Sequence, residues 1–456
     1  MRKEMFDHEI TILRDTYRRL LRRHARTNLI KLTTKTHPAD LATVFRYFTE
    51  DEQNQAFALM KDDEHTAEFL TELDEALVKD LLQEESPERI ASIIEKAPAN
   101  DQSDILGALS EDRTQAVIDL LKQEEQEELA ELMGYPEDSA GAMMTTDVFT
   151  LHEGTTSGDA IKTLQDQEDA EMVFYLYVTD NDDCLVGVVS LRALATTPSD
   201  TKLKDIMIKR VHSVRPETDQ EEVARVVAQY NFLAVPIIDS DEHLLGIVTV
   251  DDVVDVIREE ATEDFLQMAG AGKDREILLK SSWENARARL PWLFASWIGG
   301  IMAASLIGVF EHMLEKIIVL AAFIPVIMGM GGNIGTQSST IIVRGIATGR
   351  VDVGSELKLI FKEMRVGLIL GIFYGFLLGC FAKFSFEETY PNLGIVVGLS
   401  ICASMLVAAT IGTVIPLILR KMDIDPAVAT GPFVTTSIDI FGVLFYFVIA
   451  GTIMAF

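Results

Sequence analysis

One residue stands out chemically: Asp439, in the run Thr435-Thr436-Ser437-Ile438-Asp439-Ile440-Phe441. Apolar residues extend for more than a turn on either side of that run. An ionised carboxylate at such depth costs about 2.5–3.5 kcal/mol on insertion scales unless water or a cation reaches it. Thr430, Thr435, Thr436 and Ser437 put hydroxyls on the same stretch, and Gly431-Pro432 frees backbone carbonyls just before it. A second polar run, Pro325-Val326-Ile327-Met328-Gly329-Met330-Gly331-Gly332-Asn333-Ile334-Gly335-Thr336-Gln337, sets four glycines beside an Asn and a Gln. The glycines allow helices to approach closely, and Asn333 and Gln337 need polar partners. Together these groups offer one carboxylate, carbonyls and hydroxyls along a polar path, with Asp439, Asn333, Gly431 and Thr435 as its lining. A single Asp is a poor cage for a bare divalent ion. Two copies across a twofold axis would hold a hydrated one, since Mg²⁺ gives up its water reluctantly.

Stepping outward, five apolar runs are each long enough to cross a bilayer: about 291–310, 317–344, 364–384, 393–419 and 427–455. Gly, Pro and polar residues break the second and fifth, and such breaks survive at membrane depth only where they face protein or water. Basic residues fall on alternate sides. Arg287, Arg289, Arg344, Arg350, Lys358, Lys362, Arg365, Arg420 and Lys421 mark one face; Lys316 and Lys383, amid Glu311, Glu315, Glu387 and Glu388, mark the other. The positive-inside rule then puts the first 280 residues and the N-terminus in the cytoplasm and the C-terminus outside a plasma membrane. Met1–Ile10 has mixed charge and no apolar run behind it, so no secretory leader is expected. Val353, Leu357 and Ile360 suggest an amphipathic helix lying along the interface between the second and third spans.

Charge divides the chain in the same place. Residues 1–280 hold 60 acidic and 29 basic side chains, whereas residues 281–456 hold 11 of each, so the whole −31 belongs to the first part. A polyanion of this size repels nucleic acid and attracts cations. Cys184, Cys380 and Cys402 show no zinc or disulfide spacing. No nucleophile–base set or phosphate-cradling loop points to an enzyme.

Within the acidic part, residues 9–26 form a basic amphipathic segment, with Ile10, Leu13, Tyr17, Leu20 and Leu21 on one side and Arg14, Arg18, Arg19, Arg22 and Arg23 around it. Its apolar side suits a membrane, the acidic domains or a neighbouring helix equally. From 37 to 133, helix starts recur about every dozen residues at His37-Pro38, Thr49, Ser86-Pro87, Pro98 and Ser110. Thr49 with Glu52 reads as a capping box, and the whole as an acidic helical superhelix. Residues 143–258 contain two similar units of helix, strand, Asp-rich turn, strand and helix: Phe174-Tyr175-Leu176-Tyr177-Val178 … Gly187-Val188-Val189-Ser190, and Leu233-Ala234-Val235-Pro236-Ile237-Ile238-Asp239 … Gly246-Ile247-Val248-Thr249.

Each unit resembles a CBS motif, and tandem CBS motifs pair into one α/β module. In that family the Ser or Thr, with an Asp three residues later, often holds a nucleotide. Here Tyr175, Ser190, Arg192 and Thr249 are the candidate nucleotide contacts. Thr249 keeps Asp252, but Ser190 is followed by Ala193, which argues for weak ATP binding at most.

The complete order of acidic superhelix, CBS pair, charged connecting helix and five spans resembles the MgtE family of magnesium channels. The Pro325–Gln337 run, Asp425-Pro426-Ala427 … Asp439, and Val250-Asp251-Asp252-Val253-Val254-Asp255-Val256 with Glu260-Ala261-Thr262-Glu263-Asp264 carry the likeness. The resemblance implies a homodimer with its pore on the twofold axis, Asp439 as selectivity carboxylate, and closure by cytosolic Mg²⁺ between soluble domains. It implies sensor carboxylates at Glu221, Asp252, Asp255, Glu260, Glu263 and Asp264, another at Asp425 near the cytoplasmic mouth, and Asp101 and Asp104 in the superhelix. One further sensor position falls on Asn231, which weakens that site. The expected architecture is therefore multi-domain: an N-terminal amphipathic helix (1–36), an α-helical superhelix (37–135), an α/β CBS module (136–255), a connecting helix (256–282) and an all-α transmembrane domain (283–456). The expected ion is Mg²⁺, as substrate and regulator. The competing readings are a less selective carrier of Mn²⁺ or Co²⁺ and a non-conducting membrane sensor.

Overall fold

The computed structural model describes residues 2–166, 174–272, 277, 281–351, 354, 356–386, 389–422, 424–429 and 431–454. It divides into two compact units, Met1–Val256 and Ile257–Phe456.

The first unit opens with α1 (Arg2–Arg22) and α2 (Arg26–Thr33). Eight short helices follow: α3 (Pro38–Phe45), α4 (Glu50–Phe57), α5 (Asp63–Thr71), α6 (Glu75–Leu82), α7 (Pro87–Ile94), α8 (Ala99–Gly107), α9 (Glu111–Ile118) and α10 (Gln123–Leu132). Their starts step by twelve or thirteen residues, which is the sequence period. Capping explains the punctuation. Thr49 and Glu52 bond reciprocally at the start of α4, and the Ser86 side chain accepts from Arg89 N at 3.3 Å to open α7. Pro38 and Pro87 occupy first-turn positions where no N–H is needed, while Pro98 stands one place earlier, as the N-cap of α8. Two turns of helix cannot bury both faces alone, so each repeat contributes a few large side chains to a shared core: Leu41, Phe45, Phe69, Leu82, Ile90 and Ile93 are fully buried. Phe45 and Phe69 meet edge-on at 4.7 Å. Ile10, Tyr17 and Leu21 of α1 join this same core, and the Tyr17 hydroxyl lies 3.3 Å from Thr33 Oγ1. The apolar side of α1 is thus spent on the superhelix, and packing is continuous across residue 36.

The second part of this unit holds α11 (Ala140–Met143), β1 (Thr150–His152), α12 (Ser157–Asp166), β2 (Tyr175–Thr179), β3 (Leu185–Ser190), α13 (Leu191–Thr196), α14 (Leu203–Ile206), α15 (Gln220–Tyr230), β4 (Ala234–Ile238), β5 (Leu244–Thr249) and α16 (Val250–Met268). Both repeats build the same antiparallel pair. Tyr177 faces Val188 in β2–β3, Pro236 faces Ile247 in β4–β5, and each ladder shifts register at its last pair. β1 runs parallel to β2, and a single bridge from Val214 to Ile237 is its counterpart in the second repeat. The two Asp-rich turns meet through a bridge between Cys184 and His243. Ala99 of α8 and Leu132 of α10 are buried with Val223, Val227, Val253 and Val256, so the superhelix and the second CBS repeat share one core. The last CBS helix does not stop at 255: α16 is continuous to Met268.

The second unit contains α17 (Ser282–Val309), α18 (Glu311–Lys316), α19 (Val319–Ala347), α20 (Glu356–Phe386), α21 (Leu393–Lys421), a 3-10 turn (Pro426–Ala429) and α22 (Pro432–Ile453). Five of these, α17 and α19–α22, are long and apolar enough to cross a membrane. Leu293, Ile369, Phe376 and Phe384 are more than half exposed on them, as lipid-facing side chains would be. The boundaries differ from expectation in three places. α17 begins nine residues before Pro291, because the Ser281–Glu284 capping box starts it in the charged segment and Pro291 is carried inside the helix. α19 runs unbroken through Pro325 and its glycines. Leu357 and Ile360 are in the first turns of α20 rather than in a separate interfacial helix; Val353 lies outside the described residues. The expected break in the fifth span is present, between the 3-10 turn and α22.

Candidate ion site

Close helix approach positions the membrane carboxylate. A Cβ on Gly335 would collide with Ile438, and Gly412 sits directly against the Gly335 carbonyl, so α19, α21 and α22 converge at this level. Ile438 is 1% exposed, locked into the notch that Gly335 leaves. Asp439 is therefore the residue after a fixed anchor, about two turns into an apolar helix, and it is half-buried. Among the described residues it makes no hydrogen bond or ion pair. Thr435 is half-buried one turn earlier and donates to Gly431 O at 3.1 Å, across the break. Thr430 lies outside the described residues. Asn333 and Gln337 are exposed on α19 and have no partners among the described residues. Gly329, Asn333, Gln337 and Arg344 recur at helical spacing along that uncovered face.

A second cluster lies outside the spans. Glu260, Glu263 and Asp264 form one face of α16 at i, i+3 and i+4. Burial, the nearby Asp425 and Glu260 raise the Asp264 carboxyl to about 6; Arg344 opposes the shift and Glu263 adds to it. Asp425 opens the 3-10 turn by accepting from Ala427 N at 2.8 Å. The far end of α16 approaches the start of the spans: the Gly270 side of the chain lies against Trp292 and Gly431. Four of the expected sensor carboxylates, Glu260, Glu263, Asp264 and Asp425, are thus brought together with the residue that starts α22.

In the first unit, Asp252 is half-buried and raised to about 6, chiefly by burial; Thr249 donates to it at 2.5 Å and partly offsets this. Asn100 Nδ2 lies 3.5 Å from its other oxygen, which sets Asp252 beside α8. Asp101, the next residue, is half-buried, and Asp104 is exposed one turn on. Glu221 is exposed in the first turn of α15, and Asp255 is exposed on α16. Asn231 closes α15 in the left-handed conformation (φ 54°), a role in which its short amide is well tolerated.

The nucleotide candidates are used locally. Tyr175 and Ser190 are paired across β2–β3, Ser190 caps α13 through Ala193 N at 3.2 Å, Arg192 is exposed, and the Thr249 hydroxyl is engaged by Asp252. Asp239, Asp241 and His243 place ligand atoms within 4.8 Å of one another, but Asp239 accepts from the backbone of both other residues and bonds the His243 ring at 2.9 Å. That arrangement stabilises a hairpin turn.

Two groups escaped the sequence reading. Glu363, 4% exposed, accepts from Ser338 Oγ at 3.0 Å between α20 and α19. Hydropathy starts the third span at 364, one residue beyond it, and only the longer α20 places it in the bundle. Gln267 is 1% exposed and continues the Glu260–Glu263–Asp264 face at i+7, a spacing that was legible.

A helical bundle of five spans with an unpartnered carboxylate inside one of them, carried with a CBS pair and an acidic superhelix, defines a multi-pass membrane transport protein for cations. Known sequences agree in every part. The divalent cation transporter family MgtE matches residues 324–449, the MgtE intracellular N domain matches 36–138, and CBS domains match 140–199 and 203–259. The chain is 34% identical over 414 residues to the magnesium transporter MgtE of Bacillus subtilis, covering 91% of each. It is 40% identical over 334 residues to that of Enterococcus faecalis (73% of each) and 38% identical over 339 residues to that of Thermus thermophilus (74% of each). A solved structure of the soluble part of a magnesium transporter superposes with TM-score 0.50 at 32% identity, covering 55% of this chain and 99% of that one. The cytosolic domain of the Mg²⁺ channel MgtE in complex with ATP gives 0.51 at 34%, covering 53% and 99%. The chain belongs to the MgtE family of magnesium transporters, and it is a transport protein rather than an enzyme.

Proposed function

We propose that the protein is a Mg²⁺ channel whose pore is closed by Mg²⁺ from the cytoplasm. The observation that carries this reading is the pairing of two acidic sites in one unit: Asp439 without a partner inside a span, and Glu260, Glu263, Asp264 and Asp425 crowded at the start of the spans. The first suits a permeating hydrated cation. The carboxyls gathered at the second offer oxygen ligands to a divalent ion, and the state that gathers them binds it best. Mg²⁺ is cargo and regulator here, not a resident cofactor. The pore forms on the twofold axis of a homodimer, with the exposed Asn333 and Gln337 of each copy lining the path beside Asp439. The N-terminus and first unit are cytoplasmic, as the basic residues between spans require. Asp252, Asp255, Glu221, Asp101 and Asp104 belong to further Mg²⁺ contacts on the acidic unit. Any ATP binding at Tyr175, Ser190, Arg192 and Thr249 is weak, because Ser190 and Thr249 already hold local bonds.

Patch recording while cytoplasmic Mg²⁺ is varied tests the reading. Discrete openings that cease as Mg²⁺ rises into the millimolar range are expected. Uptake at carrier-like rates without unitary currents, or currents indifferent to Mg²⁺, would refute it.

A further inference from the structure

Gln267 lies on α16 at the end of the Glu260–Glu263–Asp264 face, and it is 1% exposed. Its Nε2 donates to Glu263 Oε1 at 2.8 Å. Donation to a carboxylate settles which arm of the amide carries the nitrogen. The other arm, Oε1, is buried with no hydrogen-bond partner among the described residues. A buried carbonyl oxygen without a donor is costly, and each such group calls for an explanation. Glu260, Glu263 and Asp264 share its face of α16, Asp425 lies near Asp264, and every one of these is an acceptor when ionised. Arg344, the cation beside Asp264, does not bond Oε1 either, so among the described residues the donor is missing and a cation-bound water can supply it. Mg²⁺ keeps most of its first-shell water, and those waters are strongly polarised donors.

We propose that Gln267 is a binding residue of the cation site at the start of the spans. Its carbonyl oxygen accepts a hydrogen bond from the water shell of a Mg²⁺ ion held by Glu260, Glu263, Asp264 and Asp425, while its amide nitrogen keeps Glu263 turned toward that ion. The residue adds an acceptor without adding charge, and so sets the Mg²⁺ concentration at which the pore closes. This rests on the reading of those four carboxylates as a closing site.

Three variants of the full-length chain separate the two arms of the amide. Gln267→Leu removes both, Gln267→Lys keeps a donor for Glu263 and removes the acceptor, and Gln267→Glu keeps an acceptor and removes the donor. Half-closing cytoplasmic Mg²⁺ is measured in patches, and Mg²⁺ protection of α16 from protease is measured alongside. Gln267→Leu and Gln267→Lys are expected to need about tenfold more Mg²⁺ in both assays, the loss of one hydrogen bond to a charged group. Gln267→Glu is expected to close at the wild-type concentration or below. All three should elute from gel filtration in detergent as a single species at the wild-type volume, which excludes a folding defect. Closure of Gln267→Leu at the wild-type Mg²⁺ concentration overturns the proposal and leaves the closing site standing: a resident water then satisfies Oε1. Normal closure of Gln267→Lys with impaired Gln267→Glu overturns it too, by assigning the effect to the donor arm. A wild-type channel that ignores Mg²⁺ overturns both the proposal and the reading beneath it.

Discussion

At the scale of single residues, the chain places carboxyls where their charge is expensive. Asp439 has no counter-charge inside its span, so its worth lies in what passes it. Asp439→Ala should leave the bundle folded and reduce Mg²⁺ flux in proteoliposomes to background; flux at the wild-type rate would sink the pore assignment. Glu363 is different, because it is buried and Ser338 holds it. Glu363→Ala should lose that bond and leave a cavity, costing about 2–4 kcal/mol, with Glu363→Gln costing less than half as much. Melting of the detergent-solubilised protein distinguishes these outcomes. Asp252 and Asp264 carry a pH signature. Both have folded-state pKa near 6, above the ordinary carboxylate value of 3.8. Between those limits the folded state keeps protons that the unfolded chain has released. Their contribution to stability therefore falls as pH rises from about 4 to 6 and is flat above. In Mg²⁺-free buffer, the melting temperature of Asp252→Asn with Asp264→Asn should fall less steeply over that window than wild type. An equal slope would place the titration elsewhere.

At the scale of elements, spacing by small residues does what charge cannot. α19, α21 and α22 meet where Gly335 admits Ile438 and where Gly412 touches the Gly335 backbone. Gly335→Val has no room for its methyls and must push α22 away, carrying Asp439 with it. The expected outcome is Mg²⁺ flux reduced at least tenfold with all acidic residues intact, and a retained span count by protease mapping. Local signals made the soluble elements legible. The Thr49–Glu52 box, Pro38, Pro87 and the Asp-rich turns fix starts and reversals through bonds between near neighbours in sequence. The spans were legible as apolar length but not as limits. Charged residues such as Arg287 and Lys362 extend a helix beyond the bilayer without changing its hydrogen bonding, so hydropathy stops where helix does not. For the same reason α16 could not be divided at 255 from sequence.

At the scale of the whole molecule, the charge asymmetry is the governing quantity. A net −31 confined to residues 1–280 resists compaction until cations enter. Mg²⁺ at a few millimolar should protect the acidic part from protease, whereas Na⁺ of equal ionic strength should not; equal protection by both would reduce the effect to screening.

Length of apolar run, charge partition, the twelve-residue period and the doubled CBS pattern were all determined by the sequence alone, because each depends on composition or on bonds within one element. So was Asp439, since a carboxylate in an apolar run is anomalous whatever surrounds it. Which acidic residues work together was decided only by tertiary structure. Asp264 meets Asp425 across some 160 residues of chain, Asp252 meets Asn100 across 152, and Glu363 meets Ser338 from another helix. Contacts of that separation follow from how helices pack, and no local signal encodes them. Gln267 belongs to both levels: its place on the face of α16 could be read from spacing, and its empty buried oxygen could not.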